Sequence, residues 1–161
     1  MLLAEKKYTK ILRDVCEKID YAFTIKAFRG LYGFHDPWFD YASMERCLSH
    51  MENPCKAAFR ILHLGAGVAE NVLADEIGQE AINQLIEAGL WHREGANIET
   101  NNYVVIPYQG LLLVVETNPW FPSCTNRNID VYLGSDSYRL AENIGYQRGE
   151  TALDLCSGSS I

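Results

Sequence analysis

The stretch Ala152-Leu153-Asp154-Leu155-Cys156-Ser157-Gly158-Ser159-Ser160-Ile161 decides the fold of this chain. A short apolar run carries one acidic residue and then opens into small residues around a glycine. In an α/β sheet this pattern is typical of a buried parallel strand whose carboxyl end turns sharply toward a helix. Small residues let the backbone approach a bulky ligand, and the following helix N-terminus offers unpaired N–H groups. One glycine turn after a strand is a weak signal, so an apolar strand with a Ser/Gly-rich tail remains the alternative.

The same residues resemble the first nucleotide-binding motif of class I S-adenosylmethionine-dependent methyltransferases, in which a strand ends at an acidic residue followed by x-G-x-G-x-G. Asp154 stands at the acidic position, and Cys156, Gly158 and Ser160 stand at the three glycine positions. Only the central glycine is kept. The resemblance implies that Asp154 lies by the methionine portion of the cofactor, with the backbone from Cys156 to Ser160 beneath it.

The stretch before this motif carries the resemblance further. Residues 131–141 read as a short strand, a polar turn and a capped helix. This order resembles the entry into the methyltransferase domain of enzymes similar to the release-factor glutamine and ribosomal-RNA amino methyltransferases. In such enzymes the turn lies near the cofactor, which makes Asp136 and Ser137 candidates for the edge of the pocket. As plain helix caps, the two residues are explained equally well.

The resemblance covers about two thirds of the chain and implies a longer parent enzyme. A doubly wound sheet needs further βα units of about thirty residues each. The 161 residues are therefore expected to be the front part of a methyltransferase, inactive alone and binding S-adenosylmethionine weakly or not at all. The matching stretches are Arg60 to Val68, Gln84 to Trp91, Tyr103 to Val115, Val131 to Ala141 and Leu153 to Gly158.

Upstream of residue 119, hydrophobic spacing predicts helices followed by β-hairpins. Leu62 to Val68 contains a glycine loop, but the pattern before it is helical, which favours a helix C-cap over a cofactor site. Two runs joined by Gln109-Gly110 form a hairpin, and Pro107 suggests that its strand lies at an edge or next to a bulge. The predicted helices span residues 3–19, 24–31, 43–51, 53–64, 69–76 and 79–88; the predicted strands span 91–94, 97–100, 103–108 and 111–115. Thr24 is a predicted cap of the second helix, and Asn53 and Pro54 are the predicted N-cap and first helical residue of the fourth.

Helix, helix and β-ribbon is the element order of a winged helix, a fold that often binds DNA. The helix at 79–87 contains two acids and no Lys or Arg, and the whole chain has a net charge of −7. Phosphate contacts require positive charge. We therefore expect no sequence-specific DNA binding and a role for this unit in packing or in facing a substrate.

The cysteine pattern and the N-terminus indicate a cytoplasmic protein. Five cysteines are scattered without a disulfide framework, and the N-terminus becomes charged too early for a signal peptide. No apolar run reaches membrane-spanning length. Cys47, His50 and Cys55 form a C-x2-H-x4-C cluster, but a closed zinc site needs a fourth ligand, so no metal is predicted.

The sequence thus predicts a mainly helical α+β fold with three parts: a helical domain at 1–67, a winged-helix-like unit with a β-hairpin at 68–118, and the start of a Rossmann-like methyltransferase domain at 119–161. The predicted activity is methyl transfer from S-adenosylmethionine to an amino or amide nitrogen of a protein or RNA. The alternative is a non-enzymatic module that binds a protein or nucleic acid. An unpaired strand at Leu153 would pair with Val131-Tyr132, with the hairpin, or with a second copy in a homodimer.

Overall fold

A computed structural model describes residues 5–32, 41–50, 54–117 and 121–124. This part of the protein is α+β, with helices and two small antiparallel sheets. In chain order the elements are α1 (Lys6–Lys18), α2 (Tyr21–Tyr32), α3 (Tyr41–His50), α4 (Lys56–Phe59) continued by a π-helical turn (Arg60–Leu64), β1 (Val68–Ala69), α5 (Glu70–Ile77), α6 (Gln79–Glu87), β2 (Trp91–Glu94), β3 (Asn97–Thr100), β4 (Tyr103–Tyr108) and β5 (Leu111–Glu116).

A turn at Ile19 and Asp20 joins α1 to α2, and the two helices with this turn are called the α1–α2 corner. α1 lies within its predicted range and buries one face, whereas α2 begins three residues before the predicted cap Thr24. Asp20 adopts a φ of 51°, which ends α1, and its carbonyl accepts the Thr24 N–H at 2.9 Å. The prediction of Thr24 as a cap was therefore wrong, because Tyr21 already has helical geometry and Thr24 lies in the first turn.

The helix predicted at 53–64 is shorter and less regular than its spacing indicated. It begins at Lys56, and Pro54 lies in the preceding turn instead of at the first helical position. Its last turn widens to π-helical geometry and ends at Gly65, which has a φ of 63°. Glycine adopts this left-handed geometry without steric cost. The helix C-cap interpretation of this segment is confirmed.

Two carboxylate oxygens of α5 satisfy the first turn of α4. The backbone N–H groups of Ala57 and Ala58 donate to Oε1 and Oε2 of Glu76 at 3.0 and 2.7 Å. These donors have no partner within their own helix. Burial raises the pKa of the Glu76 carboxyl, against the opposite effect of the two hydrogen bonds. Glu76 therefore links the start of α4 to α5.

The three-stranded sheet has the order β1-β3-β2, and all its pairs are antiparallel. The strands at 91–94 and 97–100 were predicted. β1 was not, because a strand of two residues leaves no periodic signal. It is defined by its pairing, in which Val68 lies opposite Ile98. The helices α5 and α6 were predicted within one residue at each end, with Gly78 between them.

The second sheet is the hairpin β4–β5. Gln109 and Gly110 both have positive φ, at 46° and 83°, which is the geometry of a type I′ turn. The paired residues that flank such a turn exchange hydrogen bonds, and every second pair after them does the same. These alternating hydrogen-bonded pairs continue as far as Asn102 and Thr117, where the Thr117 N–H donates to the Asn102 carbonyl at 2.7 Å. Pro107 lies at an intervening position where its nitrogen points away from β5, so the predicted edge position is confirmed.

One hydrophobic core joins the helices α1 to α4 to both sheets. It continues across the predicted domain boundary at residues 67–68. Its members include Leu12, Phe59, Leu85, Trp91 and Ile106. The predicted methyltransferase start at 119–161 lies outside the described residues, except for 121–124. Phe121 in that short piece is buried and packs edge-on against Tyr41 at 5.3 Å between ring centroids. Within the described ranges, no helix has both the length and the apolarity needed to cross a membrane.

Candidate functional site

A groove of about 1130 Å³ runs between the α1–α2 corner and the tip of the β4–β5 hairpin. Residues 107–114 of the hairpin form one side, and α1 and α2 form the other. Two large apolar side chains stand exposed in its lining: Phe23 on α2 at 74% and Leu111 on β5 at 57%. Large apolar side chains are normally buried. Their exposure around a concave surface makes the groove a candidate binding site.

A buried polar contact holds the two sides of the groove at a fixed distance. The Tyr21 hydroxyl donates to the Val105 carbonyl at 2.6 Å. His63 Nδ1 lies 3.2 Å from the Tyr21 hydroxyl oxygen. Since the hydroxyl proton goes to the carbonyl, Nδ1 carries hydrogen and donates to the tyrosine oxygen. His63 is only 2% exposed, in the π-helical turn. The Tyr21 ring also stacks on Phe59 at 5.3 Å. This contact fastens α2 to the outer edge of β4.

The one thiol that lines the groove is not a nucleophile. Cys16 is buried on α1, and burial raises the pKa of its thiol to about 12. The thiolate is the reactive form of cysteine. At neutral pH Cys16 is therefore a small apolar side chain in the groove wall.

Four charged side chains lie in the helical wall, two of each sign. They are Arg13, Glu17, Asp20 and Lys26. None of the four belongs to the ion pairs of the described residues, which join Lys7 to Glu87, Arg60 to Glu45 and Arg93 to Glu70. The formal charge of the lining is therefore balanced, although the chain as a whole carries −7. At this groove, two cations and two anions leave no net formal charge to repel a ligand of either sign.

The outer edge of β5 adjoins the groove. In the hydrogen-bonding series of the hairpin, Leu112 and Val114 occupy the intervening positions, so their N–H and C=O groups point away from β4. β5 pairs with β4 alone in the described sheets, and no backbone hydrogen bond of the described chain uses these groups. Both residues also line the groove. A backbone edge that no described residue pairs with therefore lies beside an apolar concave surface.

Neither α6 nor the neighbouring Arg93 offers a free cation to the face that would read DNA in a winged helix. α6 contains no Lys or Arg. Arg93 on β2 is near it, but its Nε and Nη2 donate to Glu70 Oε1 at 3.0 and 2.9 Å, and Nη2 also donates to Asn83 at 2.6 Å. The hydrogen bonds from Arg93 and Gln79 lower the pKa of the Glu70 carboxyl. The positive charge of Arg93 is already neutralised by its neighbour.

The predicted cofactor residues all lie outside the described residues: Asp136, Ser137, Asp154, Cys156, Gly158 and Ser160. The structure therefore does not test them. Cys47, His50 and Cys55 lie within the described ranges, where no group of three or more His, Cys, Asp or Glu side chains could hold a metal ion. Sequence reasoning missed the groove. A signal was present in residues 111–115, which run Leu-Leu-Leu-Val-Val without the polar alternation of a half-exposed strand.

No protein-family model and no curated protein matches this chain.

Proposed function

We propose that this chain is the N-terminal portion of an S-adenosylmethionine-dependent methyltransferase that acts on an amino or amide nitrogen. The observation that carries the proposal is the sequence pattern of residues 131–158, which predicts a strand, a polar turn, a capped helix and then an apolar strand with Asp154 before Gly158. In such a reaction the cofactor supplies the reactive methyl group. The protein positions that group against the acceptor nitrogen.

The element order of the described residues supports an accessory role for the part upstream. A helix, a short strand, two helices and a β-ribbon, with sheet order β1-β3-β2, is the element order that a winged helix would have, and this supports the proposal. The acidic α6 and the neutralised Arg93 favour a role other than DNA reading. In this proposal the helical and winged-helix units assist recognition of a protein or RNA acceptor.

The test uses the polypeptide that the natural reading frame encodes, including any residues after Ile161. Calorimetry measures S-adenosylmethionine binding, and transfer of a labelled methyl group to protein and RNA fractions measures activity. Loss of the Asp154 carboxylate in Asp154→Ala removes hydrogen bonds to a charged group. We expect affinity to fall by about 10- to 100-fold.

The matched control is Asp75→Ala, which removes a carboxylate from an exposed position on α5 with no hydrogen bond in the described structure. This variant should bind as the wild type does. A natural polypeptide that does not bind S-adenosylmethionine would exclude the enzyme. Equal losses in the two variants would show that Asp154 has no specific role.

The second candidate function is a binding module without enzymatic activity. The groove between α1–α2 and the hairpin favours it, because exposed Phe23 and Leu111 line the groove together with a balanced set of charges. A reading frame that stops at Ile161 would favour this candidate. Two features downstream of Ile161 would favour the enzyme: an acidic residue at the end of a second strand, which would bind the cofactor ribose, and the N-P-P-aromatic motif with which amino-group methyltransferases hold the target nitrogen.

A further inference from the structure

The outer edge of β5 is a site for adding a strand. Leu112 and Val114 direct their N–H and C=O groups outward, and the described residues offer these groups no partner. An apolar strand edge in this state is a template for another strand. Natural proteins protect such edges with charge or proline, and residues 111–115 contain neither. Only an extended chain presents donors and acceptors at the spacing that this edge requires.

β5 is complementary to itself. When two copies of β5 are placed antiparallel about a two-fold axis at Leu113, Leu112 of each copy lies opposite Val114 of the other. Each of these pairs then exchanges both of its N–H···O=C bonds. The five apolar residues 111–115 overlap completely, and Glu116 falls beyond the last pair, next to Gly110 of the second copy. No like charges are brought opposite each other.

The charges beside the edge also fit a second copy. A two-fold interface places the same surface on both sides, so it must be complementary to itself. Arg13 and Lys26 provide two cations, Glu17 and Asp20 provide two anions, and none has an ion-pair partner in the described structure. A partner of one net sign would satisfy only half of them. A second copy of the same groove offers both signs at once.

We propose that β5 and the adjoining groove form a homodimer interface in which two hairpins join into one four-stranded sheet, β4-β5-β5-β4. In this sheet Leu112 and Val114 of both copies make one apolar strip on a single face. The exposed Phe23 and Leu111 border the same groove and lose water when the second copy binds. The interface belongs to the described part of the chain and does not depend on the proposed methyltransferase activity.

The test is the oligomeric state of the full chain, measured by sedimentation velocity over a range of concentrations. Val114→Lys places a charge on the edge strand and should raise the dimer dissociation constant by about tenfold or more. Val72→Lys is the matched control, because Val72 is exposed at 46% on α5 and lies outside the groove. It should dimerise as the wild type does. Circular dichroism verifies that both variants are folded.

Hydrogen exchange of the wild-type chain gives an independent measurement should Val114→Lys not fold. The amides of Leu112 and Val114 should exchange more slowly as protein concentration rises, while the Val72 amide stays unchanged. A wild type that is monomeric at every concentration would overturn the proposal. So would a Val114→Lys dimer as tight as the wild type, since another surface would then be used. Concentration-independent protection of the two amides would mean that another segment of the same chain covers the edge.

Discussion

The two sheets of this protein bury their residues in opposite ways. In the three-stranded sheet, β2 turns Trp91 into the core and exposes the other three residues, His92, Arg93 and Glu94. In the hairpin, β4 buries three consecutive residues, and β5 is apolar from Leu111 to Val115. One sheet is anchored on one face and charged along its edge. The other is apolar on both faces, and its outer edge at β5 has no partner among the described residues.

The two sheets therefore differ in how well their edges are protected against pairing with another strand. Charges along β2 make its edge a poor template for another strand. β5 carries no charge from Leu111 to Val115, and the backbone groups of Leu112 and Val114 point away from β4 in a strand that lines the groove. A sheet that is apolar on both faces is normally covered on both. The comparison therefore identifies the hairpin as a surface of the described structure that is suited to packing against another segment or chain.

The largest expected effect comes from removing the anchor of the charged sheet. Trp91→Ala leaves a cavity beneath β2, where Trp91 is 1% exposed, and should lower the free energy of unfolding by about 3–5 kcal/mol. Trp91→Phe is the control. The indole N–H has no hydrogen-bond partner in the described structure, so its loss costs little, and the ring keeps most of the packing. Chemical denaturation measures both. Equal losses would show that volume at this site is unimportant.

A pair of proline variants sharpens the contrast within β5. Leu113→Pro removes an N–H that bonds to β4 and some half-buried leucine surface, for a loss of about 3 kcal/mol. Val114→Pro removes an N–H that points outward. It should therefore cost less by about 1 kcal/mol, the value of one ladder bond. Unfolding at low protein concentration measures the difference. A Val114→Pro loss as large as that of Leu113→Pro would show that the edge is already paired.

The contact that fastens α2 to the hairpin gives the next effect in size. Tyr21→Phe removes the donor to the Val105 carbonyl and leaves that buried acceptor without this bond. We expect a loss of about 2 kcal/mol in unfolding free energy. The control is Tyr41→Phe, whose hydroxyl makes a long 3.4 Å bond to Glu45 in a partly exposed position. That variant should stay within about 0.5 kcal/mol of the wild type. The expectation fails if the two losses are the same.

The smallest effect concerns the charged cluster beside β2. Hydrogen bonds from Arg93 and Gln79 lower the pKa of the Glu70 carboxyl in the folded state. A lowered pKa adds stability above the pKa of the unfolded state, and that stability is lost as the pH falls through the folded pKa. Arg93→Gln should move the Glu70 pKa back toward its ordinary value, as followed by NMR titration. The difference in melting temperature from the wild type should shrink on acidification. An unchanged titration would mean that the pair does not form in solution.

Most of the described elements could be predicted from local patterns. Apolar spacing located the helices α1, α5 and α6, and Gln109-Gly110 located the hairpin turn, because periodicity and turn chemistry are properties of neighbouring residues. The start of α2 was misplaced, since the left-handed Asp20 leaves no sequence signal. The candidate cofactor residues from Asp136 to Ser160 were proposed from a resemblance, and they stay predictions.

By itself, the sequence determined that this acidic chain forms an α+β protein with mostly short, amphipathic elements, because hydrophobic period and turn residues are encoded locally. Only the tertiary structure decided where those elements meet. The strand β1 exists through its pairing with β3, and the Tyr21 hydroxyl reaches Val105, 84 residues away. The outer edge of β5 likewise becomes a candidate interface only because the fold places β5 beside the groove at the α1–α2 corner. Contacts between distant residues depend on packing in three dimensions, which local patterns do not specify.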